Sequence, residues 1–428
     1  MADALPPAPS QPAAQALPAP PPLKRGPAAA FGALRHRNFR LFFSGQLVSL
    51  IGTWMHQVAR SWLVLELTNS AFYVGFVAAL GSLPVLLLSL YAGAVADRMS
   101  KLRLIIMTQT AAMTLSFALA ALVFTHAVTV WHIVVIAALI GTVNAFDVPG
   151  RQSFFIELVG RDDLMNAIAL NSSAFNVTRI LGPSVAGLLI GLVGVGACFL
   201  LDGFSFMAVI AALLWIRIPP FRRPTTRPSA WAHIGEGLRY VRSDRRIMAL
   251  VVNIAVFSIF GYPFLVLLPV VTKQVLGRGA IAFGWMSSAV GAGALAGALL
   301  LAAFSRQLPK GRVLRWASAS FGVVLVAFAA ARTLPLVLLV LVGLGFVMIT
   351  NNATTNTLLQ TLAPDHMRGR VMSVYTLAFV GMGPIGAFQA GYFAERFGAP
   401  AALAGGAVIC LVASLVVFWR VPGLAELS

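Results

Sequence analysis

The chain has 428 residues, of which 59% are hydrophobic and only 10% charged, and it carries a formal net charge of +18. An ordinary soluble domain is roughly a quarter charged, so this composition excludes a soluble enzyme and marks an integral membrane protein. The basic excess lies in short connections between apolar runs, which argues for membrane topology and against a nucleic-acid partner.

Residues 1–30 are rich in Ala and Pro and have neither a charged n-region nor an apolar h-region. They are expected to be a disordered cytoplasmic tail, not a signal peptide. A helix that crosses a bilayer needs roughly 20 mostly apolar residues. About twelve such runs follow: Phe39–Leu65, Ala71–Ala96, Leu104–Phe124, Val130–Val148, Leu164–Val193, Gly196–Ile216, Ile247–Val271, Ile281–Phe304, Val313–Ala331, Pro335–Leu359, Val371–Phe393 and Pro400–Trp419. The fifth is long enough to begin as an interfacial segment. The longest polar connection, Pro219 to Arg246, divides the runs into two equal sets. The predicted fold class is therefore all-α, with twelve transmembrane helices in two pseudo-symmetric six-helix bundles. The tail 1–30 is followed by a first bundle 31–217, a cytoplasmic linker 218–246, a second bundle 247–420 and a cytoplasmic tail 421–428. Cys198 and Cys410 fall inside predicted helices and read as buried apolar side chains.

With a cytoplasmic N-terminus, about 25 of the 31 Lys and Arg residues fall on the inner side and about 4 on the outer side. The inner set includes Lys24, Arg25, Arg222, Arg223, Arg227 and Arg306, and the outer set is Lys273, Arg278, Arg332 and Arg396. Both termini are expected in the cytoplasm. Sliding the second half over the first by 209 residues lays Gly75 on Gly284, Lys101 on Lys310 and Arg103 on Arg312. A separate match pairs Gly182-Pro183 with Gly383-Pro384. Two diverged copies in the same orientation place a substrate path at their interface, near the bilayer midplane.

The connection after the second span reads GAVADRMSKLR, Gly93 to Arg103. It puts Asp97 at a helix C-terminus, where the backbone dipole is already negative. This stretch, with VARSWLVLELTNSAFYVG, the run from Phe146 to Gly187 and APDHMRGRVMSVY, resembles the major facilitator superfamily, in its bacterial drug and siderophore exporter subgroup. The resemblance covers about Phe31 to Trp419. Of the family's motif the chain supplies Gly93, Asp97, Arg98, Lys101 and Arg103, with Ser100 and Leu102 as departures. The resemblance implies a bacterial plasma-membrane location and an inner-gate latch. In that latch Asp97 faces the N-terminus of span eleven near Gly369 and Arg370, and Arg98 or Lys101 pairs with Asp147. In the second half Arg306 stands where Asp97 would fall, so one latch is expected. The plain alternative is a topogenic loop.

Ionisable residues inside spans are costly and point to function. Gly45, Ser49, Gly52, His56 and Arg60 share one helical face of span one, expected to line the cavity. Ser172, Asn176 and Arg179 form a stripe on span five, and Asn351, Asn352 and Asn356 head a polar cluster on span ten. Helix packing is the competing reading for that cluster. Gly182, Pro183 and Gly187, with Gly383 and Pro384, partly match a segment the family associates with antiporters, or serve close helix packing. Gly293 and Gly297 suit either a helix dimer or packing within one bundle.

No G-x-x-x-x-G-K-[ST] loop occurs, so ATP hydrolysis by that route is excluded. No cluster has metal-ligand spacing, and no cofactor or metal is expected. His56 is a candidate proton carrier, with a packing histidine as the alternative. The expected protein is a monomeric, proton-coupled exporter of a small amphipathic or lipophilic molecule, working by alternating access. Arg60 and Arg179 lean toward an anionic or metal-chelating substrate. An uptake permease on the same fold, or a non-transporting receptor or lipid-handling protein, are the rival readings.

Overall fold

The computed structural model describes residues 27–218, 230–304 and 307–427. Residues 1–26 of the predicted tail lie outside the described residues, as do Arg222, Arg223, Arg227 and Arg306. Every regular element among the described residues is helical. After a short 3₁₀ segment, Pro27–Arg35, come α1 (Arg37–Thr68), α2 (Ala71–Arg98), α3 (Lys101–Phe124), α4 (Val130–Val159), α5 (Leu164–Val193) and α6 (Val195–Leu214). Then follow α7 (Ala230–Ser243), α8 (Arg245–Val275), α9 (Ala280–Phe304), α10 (Lys310–Ala330), α11 (Leu334–Leu362), α12 (Asp365–Phe397) and α13 (Ala399–Arg420).

Eleven of these helices are long and apolar enough to cross a membrane. The helix α1 is 32 residues long but is not among them, because polar residues such as Gln46, His56, Gln57 and Arg60 lower its mean hydropathy. The sequence-predicted fourth span ends at Val148, whereas α4 runs on through Pro149 to Val159. The proline does not end the helix; it only removes one backbone donor. The fifth run forms one continuous helix, α5.

Helix ends follow local chemistry. Asn69 in a left-handed conformation (φ 48°) ends α1, and Ser70 starts α2 by accepting the Tyr73 N–H at 3.4 Å. Gly160, Gly194 and Gly398 supply positive φ values of 72°, 90° and 83° between helices. Asp244 caps α8 by accepting from the Arg246 and Ile247 amides. The helix α8 contains π-helical turns at Phe257–Gly261 and Val271–Val275, and α12 contains one at Leu377–Gly381. Such turns loosen the backbone ladder.

Connections this short make successive helices antiparallel. The starts of α1 and the ends of α6 and α13 therefore lie at one face, called here the terminal face. Asn38 Nδ2 donates to Arg217 O at 2.8 Å, and Gly311 N–H to Leu427 O at 2.9 Å, which tie that face together. Within the first half α1 packs on α5 and α6, α2 on α4, and α3 on α4 and α6; in the second, α9 and α10 pack on α11 and α10 on α13.

The halves meet chiefly along α2 with α12 and α5 with α9. Both crossings are glycine contacts. A Cβ at Gly75 would stand 2.5 Å from Ala387 O and 2.7 Å from Gly391 Cα; at Gly284 it would stand 2.6 Å from Pro183 O and 2.9 Å from Gly187 Cα. Gly75 and Gly284 are the pair that the repeat superposes. Gly293 and Gly297 press on Phe346 of α11, so that motif packs within the chain.

One element was not foreseen. Within the predicted linker, α7 is a 14-residue helix lying against the first turns of α12. Its Gly237 abuts the Arg370 carbonyl, and its Glu236 pairs with Arg370 at 3.0 Å.

Candidate functional site

A cavity of about 420 Å³ opens inside the first half, among α1, α3, α4, α5 and α6. Its polar wall is made by Gln46, His56 and Arg60 of α1, Gln109 and Ser116 of α3, Asn144 and Asp147 of α4, and Asp202 of α6. His56 Nδ1 lies 3.0 Å from Asp202 Oδ2, and Ser116 Oγ donates to the same oxygen at 2.7 Å. Phe199 stands edge-on to the imidazole with ring centroids 5.0 Å apart. Four shielded polar atoms on this wall have no hydrogen-bond partner among the described residues: Gln46 Oε1, Gln109 Oε1, His56 Nε2 and Asp202 Oδ1. A bare buried acceptor is costly unless something else fills its role. This wall is therefore built to take donors.

Nearer the terminal face Asp147 is 4% exposed and saturated. Its Oδ1 accepts from Thr108 Oγ1 at 2.8 Å and Gln109 Nε2 at 3.0 Å, and its Oδ2 pairs with Arg151, one turn on in α4. The expected partners were Arg98 or Lys101. Arg151 displaces them because α4 continues past Pro149 and brings a base to position i+4 of the same helix, while Lys101 reaches Glu157 at 3.4 Å. Arg60 is half-buried beside Gly81 of α2 and has no hydrogen-bond or ion-pair partner among the described residues.

The two faces of the interface between halves differ. At the far face Glu395 of α12 accepts from Ser70 Oγ at 3.0 Å and from the Phe72 amide at 3.2 Å, capping the N-terminus of α2. Lys273 of α8 reaches Leu65 O at 3.4 Å, and Gln274 donates to Asn69 O at 3.0 Å. An acid at a helix N-terminus and a base at a helix C-terminus are each favourable. The second half thus clasps both sides of the α1–α2 turn. At the terminal face the interface is open. A groove of about 400 Å³ separates Val85, Leu86 and Ser89 of α2 from Gly369, Met372 and Ser373 of α12. No described atom of another element lies within 4 Å of a Cβ placed at Gly93 or Gly369. Arg98 and Arg103 are exposed, and Arg370 pairs with Glu236 of α7.

The sequence-predicted cavity residues divide clearly. His56 and Arg60 line the cavity; Asn176, Arg179, Asn351, Asn352 and Asn356 do not. On α1 the expected stripe is mostly a packing face: a Cβ at Gly45 would meet Val209 Cα of α6 at 3.2 Å. The adjacent face, with Gln46, Thr53 and Gln57, borders the cavity. On α5 the lining is Asn171 and Phe175, whereas Asn176 Nδ2 bonds back to Ser172 O at 2.8 Å. Asn351 is fully buried and donates to Ser318 Oγ at 2.6 Å while accepting from Tyr262 OH at 3.3 Å, which is the packing role. Asn352 accepts from Tyr375 OH at 2.5 Å and Asn356 from Gln360 Nε2 at 2.6 Å. Gly182 packs against Trp54, Pro183 is buried and Gly187 makes the α9 crossing. Pro384 is buried too, but Gly383 has no neighbour within 4 Å, so the two Gly-Pro segments are not equivalent in packing. Gln109, Ser116 and Asp202 were not placed in the site by sequence. An amide and an acid inside otherwise apolar runs were the available signal.

The chain matches the family described as "Transmembrane secretion effector" over residues 28–427. It is 29% identical to the "Multidrug efflux pump Tap" of Mycolicibacterium fortuitum, over 91% of this chain and 96% of that protein. It is 25% identical to the "Staphyloferrin A transporter" of Staphylococcus aureus, over 84% of this chain and 90% of the relative. Its fold is similar to a bacterial homologue of the human lysosomal transporter Spinster, solved in an inward-facing, occupied conformation. That likeness has a TM-score of 0.71 at 14% identity and covers 90% of this chain and 96% of the other. The chain is thus a multi-pass membrane transporter, not an enzyme, and it belongs to the major facilitator superfamily, in the transmembrane secretion effector family.

Proposed function

We propose that this transporter is a proton-coupled exporter of a small amphipathic or lipophilic molecule, working by alternating access between two rocking halves. Counting α1 with the eleven apolar helices gives twelve spans, arranged as bundles 31–217 and 247–420 joined by the linker 218–246. The distribution of basic residues supports a cytoplasmic terminal face in a bacterial plasma membrane. The working unit is a single chain.

The observation that carries this reading is the asymmetry of the interface, clasped at the far face by Glu395 and Lys273 and open at the terminal face. A pump loading from the cytoplasm passes through such a state. The relatives named as a multidrug efflux pump and a staphyloferrin A transporter support transport of a small molecule, and the first supports its export. Arg60, a cavity cation without a partner among the described residues, suits an anionic or chelating group on the substrate.

The test is efflux from cells or proteoliposomes preloaded with dyes, drugs and ferric chelators, with and without a pH gradient, for wild type and Asp97→Asn. Gradient-dependent efflux that is lost in the variant is the expected result. Entry of these compounds in place of exit would overturn export and favour an uptake permease.

A further inference from the structure

We propose that His56, Asp202 and Ser116 form the proton-binding site of this transporter, and that a substrate is exchanged for the proton by donating a hydrogen bond to the same carboxylate. The proposal rests on the reading of the chain as a proton-coupled exporter.

Three helices distant in sequence bring these side chains together. His56 comes from α1, Ser116 from α3 and Asp202 from α6, and they are 5%, 1% and 2% exposed. Asp202 Oδ2 is satisfied twice, by the imidazole at 3.0 Å and by the serine hydroxyl at 2.7 Å. Asp202 Oδ1 and His56 Nε2 receive nothing from the described protein. A pair kept only for packing would be expected to saturate its buried polar atoms. Ser205 donates to the Asp202 backbone carbonyl at 2.7 Å, not to its carboxylate. Gly52, one turn before His56, lets α1 come close to this carboxylate: a Cβ there would lie 2.7 Å from Asp202 Oδ1 and 2.5 Å from Ser205 Oγ.

The proton accounting is short. With the imidazole neutral, its Nδ1–H donates to the ionised Asp202, and the pair carries one negative charge. A proton arriving from the cavity bonds to the His56 Nε2 lone pair and gives an imidazolium beside a carboxylate, with no net charge. Its departure returns the lone pair and the negative charge. Imidazole suits this work because its ordinary titration falls in the physiological range, and the carboxylate on Nδ1 fixes which nitrogen is offered.

The other charged groups that line the same cavity are Arg60 on α1 and Asp147 and Arg151 on α4. Asp147 and Arg151 neutralise each other. That leaves Arg60, on the same cavity wall, to balance the unloaded pair. The sign of coupling follows from charge. A substrate donor seated on Asp202 competes with the proton, which is exchange. A compound held through Arg60 alone would instead bind better to the protonated site and travel with the proton.

Two measurements on the full-length purified protein test this. The first is a ¹⁵N-histidine NMR titration, with the His56 resonance assigned by its loss in His56→Gln. His56 is expected to titrate, and Asp202→Asn to lower its proton affinity by roughly tenfold or more, because the carboxylate favours the imidazolium. Gly52→Ala, which crowds the carboxylate, should shift the same midpoint. The second is uptake of ethidium into inside-out vesicles under an imposed pH gradient, in wild type, His56→Gln and Asp202→Asn. Gradient-driven uptake is expected in wild type and not in the variants. A His56 resonance that does not titrate, or that ignores Asp202→Asn, overturns the proton site whatever the flux does. Variants that still couple ethidium to the gradient overturn the coupling role while leaving the exporter reading intact. Wild-type vesicles that accumulate no ethidium while His56 titrates as expected overturn exchange of this donor-bearing cation without touching the site.

Discussion

Replacement of Gly75 by Ala should open the far face. The added methyl would stand 2.5 Å from Ala387 O and 2.7 Å from Gly391 Cα, both backbone atoms that cannot rotate aside. Ordinary van der Waals contact begins at 3.4 Å, so α2 and α12 must part by roughly 1 Å at their crossing. Overpacking of this kind costs about 1–3 kcal/mol, and the cost falls only on the state in which these helices touch. In a two-state protein it moves the balance by roughly 5- to 150-fold. The assay is a pulsed electron-spin distance between labels at Ala127 and Thr333, in a background with Cys198→Ala and Cys410→Ala. Gly75→Ala should lengthen the far-face distance, and Gly284→Ala, at the equivalent crossing, should do the same. Gly405→Ala is the control, since no atom lies within 4 Å of its Cβ position. A Gly75→Ala distribution that coincides with the control would refute the claim that the glycine crossings seal this face.

Arg60→Gln should lower apparent affinity for anionic compounds by about tenfold, the scale of one charge-assisted hydrogen bond, relative to neutral compounds in the same efflux assay; equal effects on both classes would count against a substrate role. Asp147→Asn leaves Arg151 without its charge partner beside a buried wall and should cost about 3 kcal/mol. A drop of several degrees in the thermal midpoint checks this, and an unchanged midpoint would show the pair to be dispensable.

Much of the fold was legible because each span must bury a long apolar surface and each connection must not. The span that the apolar criterion misses, α1, is informative for the same reason: it carries His56 and Arg60, which the site needs and hydrocarbon does not tolerate. The helix α7 was hidden because its length is below that of a span and its surroundings are polar. The site was half legible. Polar positions on α1 could be seen, but which face turns to the cavity depends on Val209 and Ser205 of α6 pressing on Gly45 and Gly52. Nothing local encodes that. The partner of Asp147 was expected from the family resemblance alone; the base that neutralises the acid is one turn on in the same helix, beyond Pro149.

An acid at a helix C-terminus, as at Asp97, recurs at the other face. Glu395 lies in the last turn of α12, unfavourable for a carboxylate by its own helix, and is offset by the N-terminus of α2. Because α2 and α12 run antiparallel, each ends in an acid where the other begins: Glu395 at the far face and Asp97 at the terminal face. Halves that rock cannot close both faces at once, so strengthening one contact must weaken the population of the other. Removing either charge should therefore move the equilibrium in opposite directions, each by about 0.3–1 kcal/mol for an exposed helix-end charge. Glu395→Gln should lengthen the distance between labels at Ala127 and Thr333, and Asp97→Asn should narrow its distribution toward the short value. The sites are at opposite ends of the helices, so the double variant should be close to additive and return toward wild type. If both single variants lengthen the distance, the acids are local stability features and not the two ends of one switch.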